Sequence, residues 1–239
     1  RYIEEKLVKT IRSPEEVAAS MREPSQGEGG YVVAPDNFLR EIRRICDKHG
    51  ILLIADEVQS GVGRTGKWWA IEHSGVQPDI VCIAKGIASG MPLGICMTKA
   101  DVMDWVPGSH ASTYGGNPVC IAASLATLDI IEREAMKNAA TVGGTMLDRL
   151  RPWVAKYAHV GDVRGRGLMI GVEIVGDKKT KAAAGALRDK MVELAFERGL
   201  LILGCGETSI RLCPPLVLNQ DEADIALDIL EECVVVASK

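Results

Sequence analysis

Apolar residues recur along this chain with two different periods, and the alternation between them predicts its elements. Between Asp36 and Gly50, the residues Phe38, Leu39, Ile42, Ile45 and Cys46 fall at helical spacing, with Arg40, Glu41, Arg43, Arg44 and Asp47 on the other side. This predicts an amphipathic helix closed by Gly50. The run ILLIA (51–55) is too short for a helix and carries no polar break, as expected of a strand buried on both faces of a parallel sheet. DIVCIA (79–84) and LGICMT (93–98) repeat the pattern after the amphipathic stretch KWWAIEH, and the alternation predicts an α/β layered sheet. Ser13-Pro14-Glu15-Glu16 has the form of a capped helix start.

Asn117-Pro118 opens a helical stretch to about Glu134, and a second helix is predicted over 138–158. After Gly161 the pattern changes. VRGRGLMIGVEIV predicts paired antiparallel strands around glycines, 180–198 a helix closed by Gly199, and LLILG and SIRLC two short strands. Asn219-Gln-Asp-Glu222 then opens a final helix with a capping pattern. A boundary near 158–161 would divide a larger part, 1–158, from a small α+β domain, 159–239.

Composition narrows the chemistry. In 239 residues, 28 Lys+Arg oppose 32 Asp+Glu without long runs of one sign, which argues against a nucleic-acid or acidic-membrane partner. No window approaches the roughly 18 apolar residues of a bilayer span. Cysteines at 46, 82, 96, 120, 205, 213 and 233 show no CxxC or Cys/His ligand spacing and read as small hydrophobes in a reducing, cytoplasmic compartment. The four histidines are dispersed, so a metal site has no support. Catalysis would then rest on Lys, Asp, Glu or Arg, or on an organic cofactor.

Two nucleotide-binding patterns fail. Gly61-Val-Gly63-Arg-Thr-Gly66 has the GxGxxG form, but Asp56 and Glu57 on the preceding strand end would repel a pyrophosphate. Lys67 extends it to GxxxxGK, but Trp68 stands where a phosphate loop needs a hydroxyl. These glycines are expected to turn the backbone beneath a site built by the residues before them. Asp56, Glu57, Val58 and Gln59 lie just beyond the carboxyl end of ILLIA, where ligands gather in parallel sheets. On its own, such an acidic pair most simply caps the next turn. Lys85, however, ends the next strand 29 residues later (85 − 56), about one strand–helix–strand unit. That lysine either snorkels to the surface or is desolvated, its amine then serving as a nucleophile towards a carbonyl. An amine facing a carboxylate across a crevice is what pyridoxal phosphate requires.

The runs EPSQGEGG (23–30), LLIADEVQSGVGRTGKWWAIEHSGVQPDIVCIAKG (52–86), MPLG (91–94), STYGGNP (112–118) and RLCPP (211–215) together resemble the class III aminotransferases. These are pyridoxal 5'-phosphate enzymes of the aspartate-aminotransferase fold (PLP fold type I), and the likeness is greatest to those acting on 4-aminobutyrate and related ω-amino acids. The resemblance implies that Lys85 is the Schiff-base lysine and general base, and that Asp56 partners the pyridine nitrogen. Val58 would pack on the ring and Gln59 hydrogen-bond near its 3-hydroxyl. Thr113 would reach the cofactor phosphate of a neighbouring subunit, which implies a homodimer with shared sites. Arg211 would bind the substrate carboxylate, Glu28 would pair with it when no second carboxylate is present, and Glu23 would support them. Without the resemblance, Thr113 reads as a loop hydroxyl and Arg211 as a solvated strand residue.

The implied reaction is transamination from a 4-aminobutyrate-like donor to a 2-oxo acid such as 2-oxoglutarate. The alternatives are an amino-acid racemase on the same scaffold, an ornithine- or acetylornithine-type aminotransferase, and a non-catalytic binding or dimerisation module. Family members are nearly twice as long. Their phosphate-binding loop and the aromatic residue on the other face of the ring belong to an N-terminal half, so residues 1–239 read as a C-terminal part, inactive and holding the cofactor poorly on its own.

Overall fold

The computed structural model describes residues 2–238, without the side chains of 7–9 and 36. Two compact units emerge, one made of residues up to Pro24, Ala34–Val62 and Trp69–Asp129, the other of Ser25–Val33, Gly63–Trp68 and everything from Ile130 onward.

In the first unit, β1 (Ala19–Arg22), β2 (Leu52–Asp56) and β3 (Ile80–Ile83) are parallel neighbours, and β4 (Ile95–Thr98) closes the sheet antiparallel to β3. The helix α1 (Asp36–His49) links β1 to β2 and ends at Gly50, whose φ of 66° is the left-handed conformation that terminates a helix at low cost. Leu39, Ile42 and Cys46 of α1 pack with Ile51, Leu53, Ala55 and Ile71. Arg43 clips α1 to the start of β3 through Asp79 at 2.6 Å, and Asp79 also accepts the Leu53 N–H at 2.7 Å. The expectation that ILLIA is buried on both faces is corrected. Leu53 and Ala55 are buried, whereas Leu52, Ile54 and Asp56 are half-buried, because α1 covers one side of the sheet. The expected start of a helix at Ser13 is a single turn, Pro14–Glu16, without a side-chain cap.

The helices predicted over 117–134 and 138–158 are one uninterrupted run. It consists of α2 (Pro118–Ile130), a wider π-type turn (Ile131–Ala135) and α3 (Met136–Leu150), with helical backbone at the joints. Pro152, which cannot donate to the previous turn, ends it, and a short α4 (Trp153–Lys156) follows.

In the second unit, β5 (Val160–Arg166), β6 (Met169–Asp177), β8 (Leu203–Cys205) and β9 (Ser209–Leu212) form an antiparallel sheet ordered β5-β6-β9-β8, with β7 (Ala182–Ala183) added to β6. Its core joins Val142, Met146 and Leu150 of α3 to Ile170, Val172, Ile174 and Ile210, and to Leu227, Leu230 and Val234 of α6 (Gln220–Ala237). That packing is why the units divide at 129/130 rather than near 158–161: α3 buries its apolar side on the antiparallel sheet. The helix expected from 180 is α5 (Gly185–Glu197); before it, the Asp177 carboxylate accepts the N–H groups of Lys179 and Thr180 and holds a turn. The capping box at Asn219 and Glu222 is present as predicted. Among the described residues, no helix is long and apolar enough to cross a membrane.

Candidate active site

The parallel register aligns Asp56 with Cys82, so the carboxyl ends of β2 and β3 stop side by side, with Asp56 on one and Lys85 just past the other. Asp56 Oδ1 accepts the Val58 N–H at 3.1 Å, which fixes the carboxylate, and among the described residues Oδ2 has no hydrogen bond. Lys85 is exposed and sits at φ 48°, a left-handed conformation that costs a non-glycine residue of order 1 kcal/mol and recurs at functional sites. Among the described residues its ammonium makes no hydrogen bond or ion pair.

The turn after Asp56 is held from inside by Glu57, whose relative exposure is 0 %. Its carboxylate accepts the Ser60 hydroxyl at 2.6 Å and the Ile71 N–H at 2.8 Å. Burial pushes its pKa up, against these hydrogen bonds and that from Ala70 N–H. Gly61 lies so close beneath this turn that a Cβ there would meet the Glu57 carbonyl oxygen at 2.7 Å. Val58 and Gln59 are half-buried in the same turn. Thr113 lies exposed in the loop before α2, and Glu23 exposed just past β1.

In the second unit, three residues share one row of the antiparallel sheet. The register sets Arg164 of β5 opposite Gly171 of β6, and Gly171 opposite Arg211 of β9. Gly171 leaves room between two arginines, and the segment 28–31 occupies it; a Cβ at 171 would meet Gly30 O and Tyr31 Cβ at 3.1 Å. Arg164 donates Nε to Gly30 O at 2.9 Å and Nη2 to Glu173 and Ser209 at 2.6 Å each. Gly206 N–H donates to Glu28 O at 2.7 Å, and Tyr31, 1 % exposed, packs on Met169 and Cys205.

The backbone around Glu28 is thus fixed from both sides while its side chain stays 71 % exposed and ion-pairs with Arg211, itself 21 % exposed. Burial works against the Arg211 charge, but the Glu28 carboxylate more than offsets it and holds the guanidinium pKa above its ordinary value. The structure therefore pairs Glu28 with Arg211, and sets Asp56 and Lys85 at the carboxyl ends of neighbouring strands. The sequence reading missed Arg164, Glu173 and Gly171. Their only signal was charge at alternate strand positions beside a glycine, which means nothing until the strands are in register.

Comparison with known proteins identifies the family to which this fold belongs. The family model "Aminotransferase class-III" matches residues 2–234. The chain is 44% identical over 220 residues to a leucine/methionine racemase of Thermococcus litoralis, covering 91% of this chain and 50% of the racemase. It is 43% identical over 234 residues to the 5-aminovalerate aminotransferase DavT of Pseudomonas putida, covering 96% and 55%. An amine transaminase from an uncultivated Pseudomonas species, solved with PLP bound, superposes with a TM-score of 0.89 at 41% identity over 94% of this chain and 53% of that one. This chain belongs to the class III aminotransferases. It spans about half the length of the curated relatives it matches.

The residues present fit the cofactor of that class. A carboxylate with one oxygen that makes no hydrogen bond and a lysine side chain with no partner, both among the described residues, stand at neighbouring strand ends, the donor set a protonated pyridine nitrogen and an aldehyde call for.

Proposed function

We propose that the protein is a pyridoxal-phosphate aminotransferase that moves the amino group of an ω-amino acid, 4-aminobutyrate-like, to a 2-oxo acid such as 2-oxoglutarate. The observation that carries this reading is the Glu28–Arg211 pair. A carboxylate that can leave a guanidinium lets one site accept a donor with a single carboxylate and an acceptor with two.

When bound, pyridoxal phosphate supplies an electron sink for negative charge developing on the donor carbon. Lys85 Nζ would hold the group and, as general base, would move the proton of the donor carbon. Asp56 holds the ring nitrogen protonated through its free oxygen, while Val58 packs on the ring and Gln59 hydrogen-bonds at its edge. Arg211 binds a carboxylate of the acceptor through its planar fork, and Glu28 neutralises it for the donor, with Glu23 in support.

Thr113 serves the phosphate of a second subunit in a cytoplasmic homodimer. Exposed Val119, Ile121 and Leu125 on α2, with Trp105, Val106 and Tyr114 before it, support a second copy as the partner. The test is glutamate formation by the full-length enzyme that carries this chain, supplied with pyridoxal phosphate, 4-aminobutyrate and 2-oxoglutarate. Lys85→Ala is expected to abolish both turnover and the visible band of bound cofactor. Turnover by that variant would refute the assignment. Identity to the leucine/methionine racemase favours a second reading, an amino-acid racemase. Inversion of a chiral amino acid without any 2-oxo acid would establish it.

A further inference from the structure

On the half-covered side of the first sheet, one row runs from Asp56 on β2 through Cys82 on β3 to Cys96 on β4. Cys82 O accepts the Glu57 N–H at 3.0 Å, so the backbone polar groups of Cys82 face β2 and turn away from β4. The pair Cys82–Cys96 is therefore a non-hydrogen-bonded site of the antiparallel ladder. Directly opposed residues at such sites have Cα atoms about 4.5 Å apart, with their side chains on one face. Disulfides span Cα separations of about 4.4 to 6.8 Å. No other two cysteines are matched across strands among the described residues: Cys46, Cys120 and Cys233 lie on helices, Cys205 faces Ser209, and Cys213 follows β9.

We propose that Cys82 and Cys96 are an oxidation site that hydrogen peroxide closes into a cross-strand disulfide beside Asp56. Cys96 is exposed and Cys82 half-buried, so Cys96 is the first to react. Burial, with the charges of Cys96 and Asp56, raises the Cys82 pKa. The Cys96 sulfur attacks a peroxide oxygen: an S–O bond forms, the O–O bond breaks, and the departing hydroxide takes the thiol proton to become water. The Cys82 sulfur then attacks the Cys96 sulfenic acid. The S–S bond forms, the S–O bond breaks, and hydroxide leaves with the Cys82 proton as a second water. The two thiols lose two electrons and the peroxide gains them.

The inference goes beyond the proposed reaction and does not depend on it, since the readout is mass and not turnover. The purified, reduced protein is treated with equimolar hydrogen peroxide, quenched with an alkylating agent, digested and mapped. The expected product has lost the mass of two hydrogens, carries Cys82 and Cys96 in one linked peptide as the main oxidised species, and returns to two alkylatable thiols with dithiothreitol. Cys96→Ser should lose the linked peptide entirely while keeping its circular dichroism spectrum. The proposal is overturned if both thiols remain alkylatable when other cysteines have been oxidised, or if Cys96 is recovered as sulfinic acid or bonded to a second chain.

Discussion

Replacing Glu28 with Gln removes the charge that competes with substrate for Arg211 and leaves the segment's backbone anchors in place. The magnitude follows from exposure. With Glu28 71 % and Arg211 21 % exposed, the pair is screened by water on the carboxylate side, so it is worth about 1 kcal/mol, the upper end for surface pairs, rather than the roughly 3–5 kcal/mol that breaking a buried one costs. A dicarboxylate acceptor must first displace Glu28, so the pair weakens its apparent binding by about fivefold, the factor that 1 kcal/mol represents. In Glu28→Gln the KM for 2-oxoglutarate should fall by about fivefold, with kcat little changed. The KM for a monocarboxylate donor should rise, because Arg211 then faces an apolar chain uncompensated. Steady-state kinetics with each substrate varied in turn give both numbers, and isothermal titration with glutarate gives the first without turnover. An unchanged or raised KM for the dicarboxylate would refute the competition, and so would a pair energy large enough to block the acceptor altogether.

Arg164→Ala should destabilise the protein to chemical denaturation by about 3 kcal/mol, because it strands the buried side of Glu173 and frees Gly30 O. Arg164→Lys should restore part of that and leave the Glu28-dependent KM ratio disturbed. Gly171→Val should push segment 28–31 away from the sheet and weaken dicarboxylate binding more than it lowers the melting temperature, the two being read by titration and calorimetry. Glu57→Gln tests the raised carboxylate pKa. Its folded value lies above its unfolded one, so the favourable contribution is complete at low pH and disappears as pH rises through the folded value, at up to about 1.4 kcal/mol per pH unit. In the Gln variant that part of the pH dependence, followed by urea melts between about pH 4 and 8, should vanish; an identical profile in both proteins would show that Glu57 does not titrate there.

Local pattern carried a large share of this protein. Helix α1 and its Gly50 stop, the glycine-flanked pair β5–β6 and the box at Asn219 were legible because each is decided by side chains within a few residues, through amphipathic spacing, positive φ and end capping. Asp56 and Lys85 were legible for the same reason, as charges closing two apolar strands. What the chain order could not reveal was how far each strand would be covered and which strand positions would meet. Leu52 and Ile54 look as buried as Leu53 until α1 is seen to lie on one side only, and α3 looks like part of the first domain until its apolar side finds β6. Arg164, Gly171 and Arg211 stand in one row, as do Asp56, Cys82 and Cys96, only because hydrogen-bonded ladders set the register. A slip of one residue would send every one of those side chains to the opposite face, so their chemistry is a property of the assembled sheets and of no segment alone.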